Sequence, residues 1–95
     1  MANGELTNLK FEKAKQMLES GLIPDFQTIF SIAPPTSIAT ATKIHNLRLK
    51  AKIEDPSLFK MRELMDIAAV LNIDDTLLFK LALDTIKSND SAEPA

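Results

Sequence analysis

The side chains able to do chemistry are few, and their spacing narrows the choice quickly. There is one histidine, His45, and no cysteine, so a Cys–His nucleophile pair, a cysteine-ligated zinc and a disulfide framework all lack their parts. No Gly-rich loop and no G-x-S-x-G element occurs to build a phosphate cradle or an oxyanion hole. The adjacent acid pairs, Glu54-Asp55 and Asp74-Asp75, fall at expected helix ends, where capping accounts for them better than metal binding does. The expectation is a protein that is not an enzyme, requires no cofactor or metal and takes no small-molecule substrate. The chemistry that remains is cationic. Lys43, Arg48, Lys50 and Lys52 lie in a stretch, Phe26 to Ile53, that holds no Asp or Glu, which leaves the rest of a chain of net charge −2 at −6. Cations gathered in this way suit phosphate neutralisation, and the bland alternative is a solvated face.

Positioning those cations takes a folded scaffold, and the composition allows one. A chain of 95 residues with 45% hydrophobic side chains is enough for a single domain with one core and too short for two. Without cysteines nothing argues for an oxidising compartment, so a cytoplasmic address is the default expectation. Glu5, Lys10, Glu12, Lys13, Lys15 and Glu19 break any apolar run a signal peptide would need. The longest uncharged stretch, Phe26 to Thr42, contains Pro34 and Pro35 and is unsuited to crossing a membrane.

Apolar spacings of three and four run through most of the chain and predict an all-α fold of five or six helices, with no strand pattern and no internal repeat. Glu5 to Ser20 reads as an amphipathic helix ended by Gly21. Asp25 is placed to cap a short second helix that Pro34-Pro35 stops. Thr36 is expected to cap a third, Ser37 to Thr42. Asn46 to Glu54 forms a fourth, ended by Asp55-Pro56. Met61 to Leu71 is the clearest helix, with Met61, Leu64, Met65, Ala68 and Leu71 as a stripe that should be buried and Met17, Met61 and Met65 filling the core. Asp74 should cap a last helix through Lys87, with Ile73 stapled onto Leu78. Residues 1–87 are thus expected to form the domain, and 88–95 a disordered tail.

The fourth helix is where charge and pattern meet. With Leu49 facing the core, 100° per residue places Ile53, Asn46 and His45 towards the core side and Leu47, Ala51 and Glu54 outward, flanked by Arg48 and Lys50. Such a ridge suits a major groove, in which cations reach phosphate or guanine and Leu47 meets a thymine methyl. Lys52, nearer the core boundary, is expected to snorkel and to position the helix on phosphate.

From Phe26 to Leu83 the sequence resembles the lambda-repressor-like (Xre-type) helix-turn-helix family. Pro34-Pro35-Thr36 matches the opening of its first motif helix, Ala39 the small residue at the helix crossing, Lys43-Ile44 the turn and His45 to Glu54 the recognition helix. Leu64, Ala68, Leu71 and Ile73 in "MRELMDIAAVLNID" match its supporting helix, and a closing helix follows from Asp74. The sequence departs from the family at three positions: Lys43 stands at the turn glycine, Thr42 at the leucine before it, and Lys60 at the Ser or Thr cap of the supporting helix. A lysine in a left-handed turn costs about 1 kcal/mol or somewhat more, so a reshaped or mildly strained turn is expected.

The resemblance implies sequence-specific binding of double-stranded DNA in transcriptional regulation, by a homodimer that reads paired half-sites. In that reading Asn46, Leu47 and Arg48 probe base edges from the helix start, Lys50 reads or clamps alongside, Lys43, Lys52 and the helix start at Thr36 hold phosphates, and His45 and Ala51 complete the DNA-binding positions. Leu78, Phe79 and Leu83 on the last helix are candidates for the dimer surface if exposed. The competing expectation is a protein-interaction adaptor on the same scaffold that has lost DNA contact.

Overall fold

In the computed structural model the described backbone covers residues 2–92, and the described side chains 9–88. The described residues contain six α-helices and no strand: α1 (Ala2–Glu19), α2 (Phe26–Ile32), α3 (Pro35–Thr42), α4 (Asn46–Glu54), α5 (Met61–Leu71) and α6 (Asp75–Ala92), with one 3₁₀ turn at Pro56–Leu58. The all-helical fold expected from the periodicity is the fold observed. No helix is long and apolar enough to cross a membrane among the described residues.

The helix ends follow the local chemistry closely. After α1, Gly21 adopts φ 73°, and Leu22 and Gly21 donate their N–H groups to Met17 O (2.9 Å) and Leu18 O (3.2 Å), which satisfies carbonyls the helix leaves open. Asn72 does the same for α5 at φ 57°, with Ile73 N–H on Ala68 O at 3.0 Å. Asp25 caps α2 by accepting from Thr28 N at 2.9 Å, and Asp74 caps α6 by accepting from Thr76 N at 3.0 Å. Thr36 does not cap α3. The helix starts two residues earlier, with Pro34 as N-cap and Pro35 at the first helical position, where proline's fixed φ suits the helix and its missing N–H costs nothing. At the other end of the chain α6 runs past Lys87 to Ala92, so 88–92 continue the helix, and 93–95 lie outside the described residues.

One core joins all six helices. Phe26, Ile29, Ile38, Leu49, Ile67, Leu71 and Leu78 are its largest fully buried side chains. Phe26 sits between Phe30 and Phe59, each with ring centroids 5.4 Å away and tilted, an arrangement that lets ring edges meet faces. Two side-chain hydrogen bonds, one buried and one part-buried, lock the orientation of α2: Phe26 N–H donates to Thr85 Oγ1 of α6 at 2.9 Å, and Gln27 Nε2 donates to Ile53 O at the end of α4 at 2.8 Å.

The expected burial of α5 is only half right. Ile67, Ala68 and Leu71 are buried, but Met61 is 70% exposed and Met65 40%, so two of the three methionines expected in the core lie on the surface. Met17 is half-buried against it. Helix periodicity identified the apolar face but not its width: the facing elements cover about half of it.

Candidate nucleic-acid interface

The candidate interface is α3, a three-residue connection and α4. Lys43 is the pivot. It follows α3 with φ 62° and ψ 22°, the left-handed conformation in which a Cβ is crowded against the backbone. Thr42 holds the turn there: its hydroxyl donates to Ile38 O at 2.7 Å and accepts from Ile44 N at 3.4 Å. The positive φ expected at this lysine is therefore present, and the threonine that stands where the family has leucine supplies polar contacts to the turn.

α4 is held on three sides. Leu49 and Ile53 enter the core, as the periodicity required. Gln27 satisfies the Ile53 carbonyl, one of the last four that a helix leaves open. Lys52 Nζ lies 2.7 Å from both carboxylate oxygens of Glu63 on α5, and both side chains are only 17% exposed. Lys52 does not reach outward towards phosphate: its charge is already matched. Glu63 also accepts from Lys60 N at 2.8 Å, the return half of a capping box, so the N-terminus of α5 is closed without the Ser or Thr the family favours. Burial of the Glu63 carboxyl pulls its pKa upward, but the hydrogen bonds from Lys52 and the Lys60 amide, helped by both lysine charges, outweigh this and hold it below its ordinary value.

What remains outward on the motif is a compact set. Lys43, His45, Leu47, Arg48, Lys50 and Ala51 are exposed, and none of these cations forms an ion pair among the described residues. Glu54 is exposed too, one turn from Ala51 and Lys50, so the cationic part of the ridge is its N-terminal half. His45 was expected on the core side. As the residue before α4 it has an extended backbone, φ −59° and ψ 132°, and helical angular arithmetic does not apply to it. Asn46 is half-buried, and its Oδ1 is shielded without a hydrogen-bond partner, so the side chain turns partly inward instead of standing over a groove. Thr36 is exposed. Ser37 and Ile38 both donate to Pro34 O and the prolines carry no N–H, which leaves Thr36 N–H as the amide of that helix start open to an anion.

Three contacts that hold this segment were not read from the sequence: Glu63 on Lys52, Gln27 on α4 and Thr42 on the turn. The first two join residues 11 and 26 positions apart on different helices, beyond any helical spacing, whereas the third is a local side-chain-to-backbone pattern that threonine commonly offers. Among the described residues no group of three or more His, Asp or Glu side chains could hold a metal. No protein-family model, no curated protein and no solved structure matches this chain.

Proposed function

We propose that this protein binds double-stranded DNA in a sequence-specific manner, as a homodimeric transcriptional regulator of the lambda-repressor-like helix-turn-helix type, with α4 entering the major groove. The observation that carries the reading is the outward face of the motif: Lys43, Arg48 and Lys50 exposed and unpaired around Leu47 and Ala51, in a segment without an acid from Phe26 to Ile53. Phosphate oxygens would be met by Lys43 and the Thr36 amide. Base edges would be met from the N-terminal half of α4 by His45, Leu47, Arg48 and Lys50, with Ala51 small enough to let the backbone approach. Asn46 contributes less than expected because its carbonyl oxygen is turned in, and Lys52 serves to fix α4 on α5. Three unpaired cations per motif give a modest electrostatic contribution, which favours the pairing of two motifs on one site.

A second reading, the interaction adaptor, is favoured by one feature: Leu47, at the centre of the ridge, is 70% exposed and would serve a protein partner equally well. One titration separates the two. Fluorescence anisotropy of labelled mixed-sequence duplex at low salt should show binding that weakens steeply as salt rises and is lost in Arg48→Glu/Lys50→Glu, a variant whose helical circular dichroism should match the wild type. No binding at micromolar protein and low salt would overturn the DNA reading and leave the adaptor.

A further inference from the structure

The sequence leads one to expect the methionine face of α5 in the core, yet it opens on the surface against α6. Phe59, Met61, Leu64, Phe79 and Leu83 line an open groove of about 290 Å³, with Met61 70% and Leu83 49% exposed. Alongside it Met65 and Ala68 lead towards Asp74 and Asp75 at the start of α6. A monomer gains nothing from apolar side chains held in water side by side, and clusters of this kind mark contact surfaces.

The order of residues along α6 points to the occupant. Asp75, Phe79, Leu83 and Lys87 recur every fourth position, so they form one ridge on the helix surface, acidic at one end, apolar in the middle and basic at the other. A two-fold axis across the helix at the level of Leu81 exchanges the ends: Phe79 of one copy meets Leu83 of the other, and Asp75 of one faces Lys87 of the other at both ends. The ridge is its own complement. An acidic or a basic peptide would match one end and be repelled at the other, whereas an isologous pair satisfies both. Ridges of i, i+4 spacing are also the commonest to interdigitate between helices. We propose that the face formed by Met61, Leu64, Phe79 and Leu83 is the homodimer surface of this protein, closed by two symmetric Asp75–Lys87 contacts. The proposal names the surface for the homodimer put forward above, and it stands or falls without DNA.

Sedimentation velocity over a concentration series in the absence of DNA tests it. The wild type should pass from monomer to dimer in the micromolar range. Leu83→Glu should remain monomeric with unchanged helicity and, at concentrations where the wild type is itself monomeric, an unchanged melting temperature, because that side chain is already half in water. Lys87→Asp, which sets like charges opposite each other at both ends, should weaken dimerisation by about tenfold, and adding Asp75→Lys should recover most of the loss. A wild type that stays monomeric throughout, or a dimer indifferent to Leu83→Glu, would overturn the surface and reassign the groove to a different protein. A failed charge swap in variants with wild-type melting would overturn the two-fold arrangement. Leu83→Glu keeps α4 intact and should still bind duplex at low salt, so loss of the dimer and loss of the DNA reading are separately visible.

Discussion

Lys43 carries two opposed demands in a single residue. Its backbone is left-handed at φ 62°, which costs an L-residue with a Cβ about 1–2 kcal/mol, while its ammonium is one of three exposed, unpaired cations on the motif. Glycine would remove the backbone cost, and at other helix ends of this chain the same conformation is taken by Gly21 and by Asn72, residues that tolerate it well. Lys43→Gly is therefore expected to raise stability by about 1 kcal/mol in urea unfolding while weakening DNA binding and lowering the salt slope by about one. A glycine variant that gains stability and keeps full affinity and slope would take Lys43 out of the interface. A variant that gains nothing would show that the Thr42 hydroxyl already offsets the strain. Asn46 belongs to the same scale: its shielded Oδ1 has no partner, and an unmade hydrogen bond of this kind is a cost in the folded protein. Asn46→Ala should accordingly leave thermal stability unchanged or slightly higher, and a loss above about 1 kcal/mol would mean that the amide is satisfied in solution.

At the scale of elements, the helices are tied by a few polar contacts whose positions matter more than their number. Thr85 is the one buried polar residue of α6 among the described side chains. Its hydroxyl donates to Leu81 O and accepts from Phe26 N, both at 2.9 Å, so it closes the first turn of α2 from a helix 59 residues away. Thr85→Val keeps shape and volume but leaves the Phe26 N–H buried without an acceptor, an expected loss of about 1–3 kcal/mol; Thr85→Ser, which keeps the hydroxyl, should recover part of it in the same melting experiment. Contacts like this mark the limit of what the chain discloses before folding. The cores of α4 and α5, Leu49 and Ile53 with Ile67, Ala68 and Leu71, follow from apolar spacing, and the ends at Gly21, Asp25 and Asp74 follow from residue chemistry a few positions away. Thr36 was misplaced as a cap because two prolines can open a helix as well as close one. Met61 and Met65 were misplaced because amphipathicity gives a helix an apolar side without saying whether a neighbour covers all of it. The cationic ridge was legible as composition, but its membership was not: Lys52 leaves it through Glu63, a contact between two helices, and His45 lies outward because the helix begins only after it.

On the scale of the whole molecule, the segregation of charge is narrower than composition implies, since one of the four cations between Phe26 and Ile53 is neutralised from α5. That ion pair links the candidate interface to the stability of the fold and gives both a common dependence on Glu63. The carboxyl has a pKa held below its ordinary 4.5, so by linkage its contribution to stability is fully present above that value and is lost as pH falls through the lower, folded-state pKa. Glu63→Gln removes the charge while keeping an acceptor for the Lys60 amide. At neutral pH the variant should be less stable by about 1 kcal/mol, and the gap from wild type should close as pH is lowered beneath 4.5, where the wild-type carboxyl protonates as well. The same substitution releases Lys52 beside the ridge, so at neutral pH duplex DNA should bind more tightly and with a salt slope steeper by about one. Tighter binding from a less stable protein is an outcome that damage to the fold cannot imitate. If instead affinity falls in step with stability, the role of Lys52 is to hold α4 at the angle the groove requires, and the ion pair is part of the interface's scaffold and not a restraint on its charge.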